Sequence, residues 1–155
     1  MGNLIAQLKF EEGLRLEAYR CPAGKLTIGY GHNLEARPFL EGNRIPNKIT
    51  EQEAEVLLHI DIDATVDAMD KAWHGFLLMD QARSDACLNM AFQLGVGGFM
   101  HFEKMRNYMV RCDWQNAYAE GHKSLWAKQC PHRADRVLSQ ILTGIPYSIP
   151  LAEAA

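Results

Sequence analysis

Apolar residues recur at helical spacing along most of the chain and at strand spacing in one short stretch near its start. Leu4, Ile5 and Leu8 share one helix face with Glu12, and Gly13 is a stop signal. Residues 16–20 and 26–30 then read as two short extended runs. Between them, Pro22, Ala23, Gly24 and Lys25 form a turn, so the pair predicts a β-hairpin. Residues 33–49 carry Pro38, Gly42, Asn43, Pro46 and Asn47 and read as loop, with a third short strand near residues 44–45. Thr50 and Glu53 have the spacing of a capping box, and the helical pattern behind them runs to about Ala72. Twenty or so helical residues span about 30 Å at 1.5 Å each. A helix so long in so short a chain predicts a bridge between two lobes.

The remainder reads as helices. Asp80 caps a run through Leu94, and Gly95, Gly97 and Gly98 break it. A run from Phe99 to Val110 follows, then one capped by Asp113 and starting at Trp114. A short piece covers residues 124–128, and a last helix has Pro131 as its first residue and ends near Thr143 and Gly144. The tail, residues 151–155, reads as frayed. The pattern is that of a mainly helical α+β protein of two lobes. The expected lobes are residues 13–60, and residues 1–12 together with 72–150, with residues 50–72 as the linking helix.

Composition narrows the class. The 155 residues are 48% hydrophobic and 23% charged, as in soluble globular chains. A net charge of −3 argues against a dedicated nucleic-acid binder. Residues 101–143 nevertheless hold seven Lys or Arg against four Asp or Glu, a modest basic surplus suited to an anionic polymer. The start, MGNLIAQLKFEEG, lacks a basic n-region and Ala6 stands where a myristoylation signal carries Ser or Thr. Neither a signal peptide nor a membrane span is expected, and the protein is expected to be kept in the cytoplasm. Cys21, Cys87, Cys112 and Cys130 form no CxxC pair, which argues against zinc, and no cofactor is expected.

The candidate chemistry lies at the hairpin. Glu12 ends the first helix, Cys21 sits at the exit of the first strand and Thr27 inside the second. The hairpin brings Cys21 beside Thr27, with Glu12 facing them. This segment resembles the phage lysozymes of glycoside hydrolase family twenty-four, the T-even phage type. Their pattern is Glu, eight residues, Asp or Cys, five residues, Thr, here Glu12, Cys21 and Thr27. The flanking Glu12-Gly13-Leu14-Arg15-Leu16 and Thr27-Ile28-Gly29-Tyr30-Gly31-His32 are similar to the family too. So are residues 49–64, 88–95 and 124–137. The loop after His32 and the turn after Gly95 look shorter than in the T-even enzyme.

The resemblance implies a lysozyme-like two-lobe fold and a muramidase cutting the β-1,4 bond between N-acetylmuramic acid and N-acetylglucosamine. It makes Glu12 the acid, preferred to Glu11 one register away. That acid must hold its proton until it acts, so its surroundings are expected to raise its pKa. Thr27 would orient the attacking water. Cys21, with an ordinary thiol pKa of about 8.5, stands as thiolate, base, nucleophile or partner of Thr27. Arg133 would hold or tune Glu12. Phe92, Gln93 and Trp126 would contact sugars, although Phe92 and Trp126 also suit core packing. Asp61 lies on the apolar stripe of Ala54, Leu57, Leu58, Ala64 and Ala68. A buried carboxylate needs a partner, and the resemblance supplies His32 as structural support. A metal site through His59, Asp61 and Asp63 is disfavoured, because alternate residues diverge on a helix.

Placing Arg133 near Glu12 also brings Cys130 toward Cys21, where oxidation could join them; the cytoplasm should keep both reduced. The implied partner is peptidoglycan. Nucleic acid and stable membrane association are not expected, and the protein is expected to be a monomer. It would wait in the host cytoplasm until a membrane-opening lysis protein admits it to the wall. Three alternatives stay open: a lytic transglycosylase on the same bond, a wall-binding module without activity, and a structural phage component.

Overall fold

The computed structural model describes residues 2–37 and 46–150. Helix α1 (Gly2–Glu12) leads into strands β1 (Arg15–Arg20), β2 (Leu26–Gly29) and β3 (His32–Asn33), then helix α2 (Glu51–Ala72). After a 3-10 turn (His74–Leu78) come α3 (Gln81–Met100), α4 (Glu103–Val110), α5 (Trp114–His122), α6 (Leu125–Gln129) and α7 (Pro131–Thr143). The architecture is mainly helical α+β. Among the described residues no helix is long and apolar enough to cross a membrane.

The chain divides into two compact units, one of Ile5–Ala64 and one of Met1–Leu4 with Thr65–Ala155. In the first, the three strands form an antiparallel sheet in chain order. Tyr19 pairs with Thr27 and Arg20 with Leu26, so the hairpin register follows the turn at residues 22–25. The third strand comes from His32–Asn33, pairing Ile28 with His32 and Thr27 with Asn33. The strand expected near residues 44–45 lies outside the described residues, as does the tail at 151–155. Lys48 instead bridges Glu17 on the far side of β1. Leu8, Ile28, Tyr30, Leu34, Ile49, Ala54, Leu57, Leu58 and Ile62 are the buried apolar residues among those described in this unit.

Helix α2 begins at the predicted capping box. The Glu53 N–H donates to Thr50 Oγ1 at 3.2 Å and the Thr50 N–H donates to Glu53 Oε2 at 2.7 Å. Its buried line follows Leu58, Ile62 and Met69, whereas Ala68 is exposed. Ala54, Leu57 and Leu58 are buried as the stripe requires and Asp61 and Ala64 are half-buried, while beyond Leu58 the fully buried positions are Ile62 and Met69.

In the second unit the break expected from three glycines is a kink at Gly95 alone (φ 73°, ψ 156°). That positive φ suits a residue without Cβ. Gly97 and Gly98 stay helical, so α3 continues to Met100, and the chain turns at His101 and Phe102 through short bonds to Gly98 and Phe99. The run expected from Phe99 to Val110 is therefore split there. Asp80, Asp113 and Ser124 cap α3, α5 and α6 by accepting from Arg83, Asn116 and Ala127 backbone N–H groups. Helix α7 packs against α3, α5 and α6. It buries Ala134, Val137, Leu138 and Ile141, spaced three and four apart. Each large aliphatic side chain so buried contributes about 1.5–3 kcal/mol.

Candidate active site

In the Ile5–Ala64 unit, the hairpin places its polar residues by register. Tyr19 and Thr27 are directly opposed, and Cys21 lies two residues beyond Tyr19. Alternation then puts Cys21 diagonally beside Thr27 on one sheet face. The turn is closed by the Cys21 N–H donating to the Lys25 carbonyl at 3.0 Å and the Gly24 N–H donating to the Cys21 carbonyl at 2.7 Å. Thr27 is buried, and its hydroxyl donates to the Lys25 carbonyl at 2.9 Å. With its proton there, the Thr27 oxygen is left as an acceptor.

The same turn tunes the thiol. The Lys25 backbone N–H is the main influence holding the Cys21 pKa below its ordinary value, against some desolvation. The Ala23 N–H and the Lys25 ammonium add to it. Each of these favours the thiolate, the form that can accept a proton or attack.

Glu12 ends α1, half-buried, in the same unit. Gly31 lies close to its carboxylate. A Cβ on Gly31 would sit 3.3 Å from Glu12 Oε2, and Gly31 has φ +81°. Glycine there satisfies both the backbone and the carboxylate above it. Sequence reading missed this role, although a Gly-x-Gly flanking Tyr30 is a visible signal of close backbone approach.

His32 and Asp61 meet as expected. His32 Nδ1 lies 2.8 Å from Asp61 Oδ2, and His32 Nε2 lies 2.8 Å from the Arg37 carbonyl oxygen. Both partners are acceptors, so this arrangement favours the ring with both nitrogens protonated. Burial alone would push its pKa down; the hydrogen bond and charge of Asp61, with the Arg37 carbonyl, outweigh it and raise the pKa above the ordinary value. The Arg37 guanidinium lies 3.6 Å from the other Asp61 oxygen. Among the described residues no cluster of His, Cys, Asp or Glu is placed to hold a metal ion.

The other expected residues lie in the second unit. Trp126 is buried and its indole N–H donates to Gln93 Oε1 at 2.9 Å. Gln93 is exposed, and its Nε2 donates to Cys130 Sγ at 3.4 Å. Phe92 is half-buried on the same helix. Phe102 meets Trp126 edge to face at 6.1 Å. A cavity of about 650 Å³ adjoins this group, with Leu94, Phe102, Trp126 and Gln129 in its lining. Arg133 is buried, and its Nε donates to Asn89 Oδ1 at 2.9 Å, with Nη2 3.3 Å from the Asn89 carbonyl. Asn89 was not singled out from the sequence. Its signal was there: an amide among Ala86, Cys87, Leu88, Met90 and Ala91 on a buried helix must find a partner. All four cysteines are free thiols.

Comparison with known proteins bears on the family of the chain. The phage lysozyme family model matches residues 9–141. The chain is 34% identical to the pre-baseplate central spike protein Gp5 of Enterobacteria phage T4, over 92% of this chain but only 28% of that protein. It is 30% identical to probable T4-type lysozyme 1 of Dictyostelium discoideum, covering 93% of this chain and 96% of that one. It is 29% identical to the endolysin of Salmonella phage P22, covering 74% and 82%. By the hairpin pattern and by these matches, the chain belongs to the phage lysozyme family.

Proposed function

We propose that the chain is an endolysin, a muramidase that hydrolyses the β-1,4 bond between N-acetylmuramic acid and N-acetylglucosamine in peptidoglycan. Glu12 donates its proton to the leaving glycosidic oxygen as the bond to the anomeric carbon breaks. A water held at Thr27 and Cys21 attacks that carbon. Two acceptors take the two water hydrogens and leave its lone pair free for the sugar. The Cys21 thiolate accepts the water proton, so one water is consumed and the anomeric configuration inverts. Phe92 and Gln93 contact sugar residues through a ring and an amide, and Trp126, at the edge of the adjoining cavity, lends its N–H to Gln93. Arg133, anchored by Asn89, takes the supporting role of the family pattern, and His32 with Asp61 braces the hairpin against α2.

The pairing of Cys21 with Thr27 carries this reading, because a lytic transglycosylase needs the acid but no positioned water. The protein acts as a monomer, held in the host cytoplasm until a membrane-opening protein gives it access to the wall. Product analysis on purified peptidoglycan tests the reaction. Reducing-end muramic acid is expected, and 1,6-anhydro sugar would mean the other chemistry. Glu12→Gln should lower the rate about 10³-fold, within the range of general acid catalysis. Equal wall clearing by that variant would leave only a binding module or a structural part.

A further inference from the structure

An amide side chain can turn over, exchanging its oxygen and nitrogen, and its environment decides which way it faces. Gln93 has two neighbours that settle the matter. The Trp126 indole N–H is a donor only, so the Gln93 oxygen must face it. The Gln93 nitrogen then faces Cys130, whose sulfur accepts one of its two hydrogens at 3.4 Å. The second hydrogen of Nε2 and a lone pair of Oε1 have no partner among the described residues, and the side chain is exposed.

Cys130 is free to serve in this way because of its place in the chain. It follows α6 and precedes Pro131, at the N-terminal boundary of α7. Residues at such a boundary commonly spend their side chain on the first N–H groups of the helix. The Cys130 side chain makes no capping bond. Sulfur is a weak acceptor and competes poorly for backbone donors.

We propose that Cys130 is a positioning residue for substrate binding, fixing the Gln93 amide so that it presents one N–H donor and one oxygen lone pair together to an N-acetyl or peptide amide of the wall polymer. A secondary amide offers the complementary pair, a carbonyl oxygen and an N–H. The inference rests on the reading of Gln93 as a substrate contact. Loss of the sulfur acceptor frees the amide to rotate, and binding then has to order it again.

The test is a double-mutant cycle on purified peptidoglycan, with KM, kcat and melting temperature measured for each protein. Cys130→Ala removes the acceptor with little steric change; Cys130→Val, larger than cysteine by about a methyl group, is a second variant that removes it without leaving a void. Either should raise KM about three- to tenfold, the scale of one hydrogen bond, with kcat within about twofold. In a Gln93→Ala background the same changes should add nothing to KM. An unchanged KM in Cys130→Val, beside a raised KM in Gln93→Ala, overturns the positioning role and leaves Gln93 as a contact. An equal rise in both backgrounds also overturns it, because the sulfur would then act through packing. A Gln93→Ala protein with unchanged KM removes the underlying reading itself.

Discussion

His32 and Gln93 are both two-headed polar side chains, one in each unit, and they are used in opposite ways. His32 is 2% exposed and spends both nitrogens inside the protein, on Asp61 and Arg37. Gln93 is exposed and spends half its capacity, on Trp126 and Cys130. A fully closed buried network fixes a backbone, because every lost bond leaves an unsatisfied group. An open one at the surface is oriented yet has bonding capacity to give to a ligand. Burial and spare valence together therefore separate scaffold from contact. Thr27 stands between the extremes: it is buried, but its oxygen keeps acceptor capacity.

The closed end of the comparison carries the largest effect. Asp61→Asn leaves an imidazolium facing a neutral amide, or forces the ring to give up its proton. Breaking such a pair should cost about 3 kcal/mol of stability, read by denaturant unfolding. Activity at a temperature where the variant is folded should change little. The sign with pH follows from the raised His32 pKa. The folded protein binds this proton more tightly than the unfolded chain, so the contribution is complete below the unfolded value of about 6.5. It is lost as pH rises through the higher folded value. Unfolding free energy should thus fall on the alkaline side in the native protein, and Asp61→Asn should flatten that fall. A variant with the native slope would assign the slope to another group.

Thr27→Val probes the middle case. The β-branched shape suits β2 as well as threonine does, so stability should change little. The hydroxyl proposed to hold the attacking water is gone, and kcat should drop about 10²-fold. Its neighbour gives a companion measurement. Because the turn lowers the Cys21 pKa, the rising limb of the pH–rate profile should lie below the ordinary thiol value of about 8.5. Cys21→Asp should move that limb further toward acid. A limb that stays in place would remove Cys21 as the base.

Much of this was legible in the sequence, for reasons that differ by residue. The hairpin, the Thr50–Glu53 capping box, the Asp80 and Asp113 caps and Pro131 at the start of α7 are local signals, each decided within four residues. The spacing of Glu12, Cys21 and Thr27 was equally local, and the register brought the last two together. What escaped depended on distant partners. The third strand is His32–Asn33 because Ile28 and Thr27 had a free edge, a choice no short pattern encodes. Gly97 and Gly98 stay helical although glycine is a poor helix former, and only Gly95 leaves helical geometry, so composition alone did not say which of the three breaks the helix. Asn89 meets Arg133, and Gln93 meets Cys130, across 44 and 37 residues of chain.

The open end gives the smallest and most selective effect. Gln93→Glu keeps the length and shape of the side chain, and one carboxylate oxygen can still accept the Trp126 N–H. The other oxygen replaces the amide nitrogen, so no N–H remains for a ligand, and the Cys130 sulfur loses its donor. The site is exposed, so unfolding free energy should stay within about 0.5 kcal/mol of the native value. The loss of one hydrogen bond to the wall polymer should cost about 1 kcal/mol of binding, a roughly fivefold rise in KM. Added negative charge also acts on the anionic groups of the wall, and that part is screened by salt. Measuring KM at two ionic strengths separates the two. A rise that survives high salt belongs to the missing N–H, and one that vanishes would make Gln93 a bystander to charge.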